Sequence, residues 1–243
     1  TPSTLTALVR AGFGQLSVAQ SGLAEGGWGP DVFAPSAHPD ASLAAVLSLR
    51  FAHPVEWAKI QRSATATKRL VLLTGVSTGL TDFLLRRPEQ WSLLSKDLRS
   101  LPQAAGWTDT FRDATSGCDT AAAVEALRVA YRRGLCQVAL FDAQSSQPLQ
   151  VLPLVAACLA DMAGAALEVA LEIARRDHGL EVSAVPLTIM GMGKAGAREL
   201  NYLSDVDVIY VTDTPEGADA EKVLQGATIL ARDTARHLME FGK

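Results

Sequence analysis

Residues 186–212 read PLTIMGMGKAGARELNYLSDVDVIYVT and constrain the fold more than any other stretch of the chain. An apolar, strand-like run ends in a glycine turn, a short polar helix follows, and a second apolar run carries two aspartates at its mouth. Asp205 and Asp207 are two residues apart, so on a strand they point the same way. Val206, Val208 and Tyr210 take the other face. Two carboxylates about 5 Å apart at an effective dielectric of about 20 repel by roughly 3 kcal/mol. A strand as apolar as VDVIYV would tolerate that pair with a cation between them, so the segment reads as a metal and phosphate site.

The chain has 243 residues and reads as helical for most of its length. Leu5, Leu8, Val9 and Phe13 fall at helical spacing. Residues 25–41 hold prolines and glycines without periodicity and read as a loop or strap. Ser42 is a candidate N-cap for the next helical run. Residues 55–101 read as three short helices, with a turn from Gly75 to Gly79 and Thr81 as a cap, and residues 102–117 read as loop-rich. Two long helices follow, over 119–141 and 149–178, each with apolar residues at i+3/i+4 steps. Arg175, Arg176 and His178 lie in the last turn of the second beside Gly179, the charge and cap of a C-terminus. Strands are expected at Val185–Met190 and Val206–Thr212, then a linker and a final helix to Met239. The expected fold is mainly α with a small α/β (α+β) nucleotidyltransferase-type core near the C-terminus. Residues 1–180 form a helical region, and 181–243 form the first part of that core.

Composition narrows the function. Hydrophobic residues make up 48% of the chain and charged residues 20%, an ordinary globular balance. A net charge of −4 argues against nucleic acid as a partner. Cys118, Cys136 and Cys158 are widely spaced without a Cys-x-x-Cys pair, as expected of buried, reduced thiols in a cytoplasmic protein. No basic segment followed by an apolar run opens the chain, so no signal peptide is expected. The chain begins at Thr1 rather than Met, as a trimmed product or fragment would. The longest apolar stretch, near 151–173, is interrupted by Asp161, Glu168 and Glu172 and reads as a buried helix, with no membrane partner expected.

Three readings compete for the glycine turn. Gly191, Gly193 and Gly196 satisfy the dinucleotide fingerprint, with Asp213 ending the next strand. However, only Ala197–Ser204 remains for a crossover helix, too short for a right-handed βαβ unit, and Asp205 and Asp207 are left without a role. A P-loop is weaker, because Ala195 follows Lys194 where the motif needs Ser or Thr. In the third reading, a nucleotidyltransferase core, backbone N–H groups at Gly193 and Lys194 hold phosphate oxygens. Asp205 and Asp207 hold Mg²⁺, which keeps one or two protein carboxylates and takes its other ligands from phosphate and water. Ser204 would orient Asp205 or touch phosphate.

The run GMGKAGARELNYLSDVDVIYV closely resembles the signature of glutamine synthetase adenylyltransferases, two-headed enzymes that add and remove AMP on a tyrosine of glutamine synthetase. Three upstream stretches, 73–91, 127–142 and 159–175, are similar to the helices that lead into the core of that family. The resemblance covers about residues 70–243. It implies Mg²⁺ as cofactor, and as partners ATP or ADP, phosphate, adenylylated glutamine synthetase and a PII-type signalling protein. Glu199-Leu200-Asn201-Tyr202 resembles the N-terminal, adenylyl-removing half, which releases AMP by phosphorolysis to give ADP. The adenylylating half is the alternative, and a non-catalytic nucleotide-binding module and a dinucleotide-dependent dehydrogenase are readings from other classes. The family uses a third carboxylate on a later strand that this sequence does not contain. Asp213, Glu216, Asp219, Glu221 and Asp233 are poor substitutes, and the chain alone is expected to lack full activity.

Blander roles fit the remaining charged residues. Arg198 and Glu199 read as a surface pair, and the arginine pairs at 86–87, 132–133 and 175–176 as solvated helix ends. Asn201 reads first as a structural loop residue, with a functional role second. His38, His53, His178 and His237 show no ligand spacing and read as bystanders.

Overall fold

Periodic apolar residues produce eleven α-helices and one two-stranded ribbon in the computed structural model, which describes residues 5–239. The chain divides into two units. One holds residues up to Ser100 together with Ala139–Ser146, and the other holds Leu101–Val138 and everything from Gln147 onward.

The first unit contains α1 (Leu5–Arg10), α2 (Leu16–Gly26), α3 (Pro39–Ala52), α4 (Pro54–Ile60), α5 (Ala64–Val76) and α6 (Thr78–Arg86), with 3₁₀ turns at Pro30–Val32 and Pro88–Ser95. Leu43, Val46 and Leu49 on α3 and Leu70, Val71 and Leu73 on α5 are buried, and these two helices pack together. Ser42 is not a cap. Helix α3 begins three residues earlier, at Pro39, and the buried Ser42 Oγ donates to the Val71 carbonyl at 2.9 Å and meets Thr74 Oγ1 at 2.9 Å. The expected turn from Gly75 to Gly79 is the break at Ser77 between α5 and α6, and α5 runs through Gly75 itself. A Cβ there would fall 1.8 Å from Ser36 Oγ, so glycine at this position permits close packing. Thr81 lies inside α6 and donates to the Ser77 carbonyl, while Ser77 caps the helix by accepting from Leu80 N–H. His53 has a structural contact: its Nε2 lies 2.6 Å from the Leu85 carbonyl.

The second unit contains α7 (Ala104–Thr115), most of α8 (Thr120–Ala143), α9 (Pro148–His178), β1 (Leu187–Gly191), α10 (Gly193–Gly196), β2 (Val208–Thr212) and α11 (Ala220–Met239). Helix α9 has 31 residues and meets the length and hydropathy of a membrane span. Half of its apolar window is buried inside the fold, and α7 and α11 pack along it. Helix α7 replaces the expected loop over 102–117. Its buried Trp107, Phe111 and Thr115 repeat every four residues and dock on α9. Arg112 on α7 pairs with Glu168 at 2.6 Å and Glu172 at 2.5 Å on α9, partners that hold its guanidinium charge more firmly than usual. The three cysteines are free, and burial pushes the Cys136 thiol up to about 12, so it stays protonated at neutral pH.

The ribbon is antiparallel, with Leu187 opposite Thr212 and Gly191 opposite Val208. Leu187, Ile189, Val208 and Tyr210 lie on its half-buried face. Val185, just ahead of β1, packs with Ala174 on α9 and Ala227 and Leu230 on α11. Thr188, Met190, Ile209 and Val211 form the other, exposed face. Antiparallel pairing excludes the parallel crossover that a dinucleotide fold requires.

Helix α11 is fixed to α9 by a polar contact. His178 Nε2 donates to Asp233 Oδ2 at 2.7 Å, and Arg232 Nε donates to Asp233 Oδ1 at 3.1 Å, so His178 also has a structural role. Burial pushes the Asp233 carboxyl up. The hydrogen bonds from His178 and Arg232 and the charges of Arg232 and Arg236 outweigh it and hold the group below its ordinary 3.8.

The depressed carboxyl sets a pH window. Its stabilising contribution is present above the ordinary carboxyl value and is lost as pH falls through the folded value. Asp233→Asn is therefore expected to melt lower than the parent at pH 7, with the two melting temperatures converging as pH drops below about 4. Trp107 is 1% exposed and its indole N–H donates to Cys158 Sγ at 3.3 Å. Trp107→Ala is expected to cost about 3–5 kcal/mol, measured as a fall in the urea midpoint followed by helical circular dichroism.

Candidate functional site

The antiparallel register places the end of β1 beside the start of β2, so residues 192–207 leave and return at one end of the ribbon. The Met192 N–H donates to the Asp207 carbonyl at 2.8 Å and closes the base of this excursion. Gly193 follows with φ +52°, a left-handed conformation that favours glycine. A Cβ at Gly193 would stand 3.8 Å from Asp207 Oδ2, so the carboxylate of Asp207 faces the glycine turn. Gly196 has a different constraint. A Cβ there would lie 2.4 Å from the Gly191 carbonyl oxygen, so only glycine lets α10 sit this close to β1.

Helix α10 is a single turn, Gly193–Gly196. The first N–H groups of a helix lack intrahelical acceptors, and Gly193 and Lys194 occupy those positions. One turn sums few peptide dipoles, so attraction for an anion rests on individual N–H groups and the Lys194 ammonium. Lys194 Nζ donates to Ser204 Oγ at 3.5 Å. Ser204 Oγ accepts the Asn201 N–H at 3.4 Å, and Asn201 Oδ1 accepts the Leu203 N–H at 3.0 Å. Asn201 thus shapes the loop through an Asx turn.

Gly193, Lys194, Ser204 and Asp207 are brought together by these contacts. Asp205 lies two residues before Asp207, and both are exposed. Strand β2 begins at Val208 rather than Val206, so the two aspartates precede the strand in irregular backbone. The period-2 argument for a shared face therefore does not reach them. Their exposure also weakens the energetic argument, since water and salt screen the repulsion expected between them on an apolar strand. Among the described residues no group of three His, Cys, Asp or Glu side chains is placed to hold a metal ion. Asp219 Oδ1 accepts N–H groups of Glu221 and Lys222 at the start of α11, and Asp233 is committed to His178 and Arg232. Neither stands in as a third carboxylate.

Two residues outside the expected set anchor this loop. Leu200 is the buried side chain between Gly193 and Asp207. Arg198 does not pair with its neighbour Glu199. Its Nη2 instead meets Asp161 Oδ2 on α9 at 2.6 Å, a partner 37 residues away with a side chain 17% exposed.

The fold is thus a mainly helical protein whose small antiparallel ribbon presents a glycine turn beside an acidic pair. A family model described as glutamate–ammonia ligase adenylyltransferase matches residues 67–241, and the chain belongs to that family. Among its relatives is a protein of Leifsonia xyli subsp. xyli named bifunctional glutamine synthetase adenylyltransferase/adenylyl-removing enzyme, 39% identical over 98% of this chain and 26% of its own length. Proteins of the same name from Mycolicibacterium smegmatis and Streptomyces avermitilis are 35% and 34% identical, over 86% and 96% of this chain and 23% and 24% of their own lengths. The chain spans about a quarter of the length of these curated relatives.

The tight approach of Gly196 to Gly191 supplies a test. Gly196→Ala is expected to push α10 off the end of β1. Hydrogen–deuterium exchange over 191–207 should accelerate by about an order of magnitude while α9 stays protected. Unchanged exchange in that segment would show that the close approach is not needed.

Proposed function

We propose that this chain is part of a Mg²⁺-dependent nucleotidyltransferase that removes AMP from adenylylated glutamine synthetase in the cytoplasm, releasing ADP by phosphorolysis. The observation that carries the reading is the convergence of Gly193, Lys194, Ser204 and Asp207 at one end of the ribbon in a member of this family. The names of its relatives support glutamine synthetase as the protein substrate.

Each residue then has a defined task. Gly193 and Lys194 N–H groups bind phosphate oxygens, and the Lys194 ammonium balances their charge. Ser204 holds the lysine and contributes a hydroxyl to the same anion. The donor set at Asp205 and Asp207 suits Mg²⁺: two hard carboxylate oxygen sources on exposed backbone leave room for water and substrate phosphate, which this ion retains. When bound there, Mg²⁺ neutralises charge on the transferring group. Inorganic phosphate forms a new bond to the AMP phosphorus, and the bond to the tyrosine oxygen breaks. That oxygen takes up a proton, and ADP is released. The protein's part in this is placement and charge compensation.

Removal is favoured over addition by the Glu199-Leu200-Asn201-Tyr202 sequence and by the long helical lead-in. A PII-type protein is the proposed regulator.

Asp207→Asn in the full-length protein is expected to lower phosphate-dependent release of ADP from adenylylated glutamine synthetase by at least about a hundredfold. A variant that kept the parental rate would remove Asp207 from the site. ATP-dependent AMP addition lost in its place would assign the segment to the opposite reaction.

A further inference from the structure

Arg198 is the one non-glycine residue with positive φ among those described, at +59°. It sits where α10 ends, and the hydrogen bonds around it define a Schellman turn. The Glu199 N–H donates to the Lys194 carbonyl at 2.8 Å, and the Arg198 N–H donates to the Ala195 carbonyl at 3.2 Å. Arg198 therefore occupies the left-handed position that such turns ordinarily give to glycine.

The same chain shows the ordinary solution three times. After α1, Gly12 has φ +87°, and the N–H groups of Gly12 and Phe13 close on Val9 and Leu8. At the end of α2, Gly27 has φ +70°, and the N–H groups of Gly27 and Trp28 close on Ala24 and Leu23. At the end of α9, Gly179 has φ +62°, and the N–H groups of Gly179 and Leu180 close on Arg176 and Arg175. Only the turn beside the glycine loop carries a side chain in the strained position. That side chain is also tied by a 2.6 Å ion pair to Asp161, on the helix that α10 packs against.

Strain kept at one turn and relieved at three others calls for a compensating interaction, and Asp161 supplies it. The path of the chain from Arg198 to Asp207 is otherwise held by Leu200 near its start and by the Met192–Asp207 bond at its base. We propose that Arg198 is a positioning residue. Its ion pair with Asp161 fixes the direction in which the chain leaves α10, and so holds Ser204 and the two aspartates opposite Gly193 and Lys194. This rests on the nucleotidyltransferase reading of the loop.

Glycine accepts the left-handed backbone and removes the ion pair, which makes Arg198→Gly the discriminating variant. In the full-length protein, Arg198→Gly and Asp161→Asn are each expected to lower kcat for AMP removal by about tenfold or more, because small misplacements of reacting groups are costly. KM for phosphate should move by less than about threefold, since no substrate contact is deleted. The double variant should be no worse than either single one, as two ends of one interaction require. Thermal melting of Arg198→Gly should match or exceed that of the parent, because the strain has gone. Full kcat in Arg198→Gly, or independent multiplying losses in the double variant, would overturn the positioning role. Asp207→Asn run alongside separates the two ideas. If it is inactive while Arg198→Gly is fully active, only the positioning proposal fails, and if it is fully active, the site itself is wrong.

Discussion

The apolar stripe of α9 is the constraint on which the second unit is built. Val155, Leu159, Met162, Ala166, Val169 and Ile173 are all buried along it. Each large aliphatic side chain removed from water contributes about 1.5–3 kcal/mol. Helices α7 and α11 dock on this helix, β1 reaches it through the Val185 cluster, and α10 packs against it. Its many alanines keep the stripe shallow, which lets neighbours come close. Gly134 on α8 and Gly226 on α11 carry the same logic: a Cβ would stand 2.7 Å from Met162 Sδ at the first and 2.9 Å from Val185 at the second.

The candidate site is not part of that packed body. Most of residues 193–207 are exposed, and their placement comes from a few tethers to rigid elements. This is the usual division of labour, in which a scaffold fixes the ends of a loop and the loop meets the ligand. The exposed aspartates fit it better than a buried pair would. They can approach a hydrated cation and a phosphate without the desolvation that a closed apolar strand would impose.

Much of this was legible in the sequence, for identifiable reasons. Long runs of i+3/i+4 apolar residues gave α8, α9 and α11 nearly at their observed limits, and Gly179 after a basic last turn marked the end of α9. The short gap after the glycine turn ruled out a dinucleotide crossover, and the antiparallel ribbon agrees. Helix α7 was hidden because its core side is only Trp107, Thr108, Phe111 and Thr115, set among polar residues. Ser42 and Thr81 looked like caps, since a hydroxyl that bonds its own helix or a neighbouring one has the same local signature as one that caps. Asp205 and Asp207 were drawn into β2 by alternation with valines, although the ladder begins only at Val208. The Arg198–Asp161 pair left no local trace, because its partners meet only once α9 and α10 are packed.

The ribbon has a consequence for how this polypeptide behaves in solution. Among the described residues it has two strands, so each strand pairs along one edge only. Met190, Ile209 and Val211 give its open face a greasy surface, each about half exposed. A flat edge with an apolar flank is a ready template for adding another strand from any neighbouring chain.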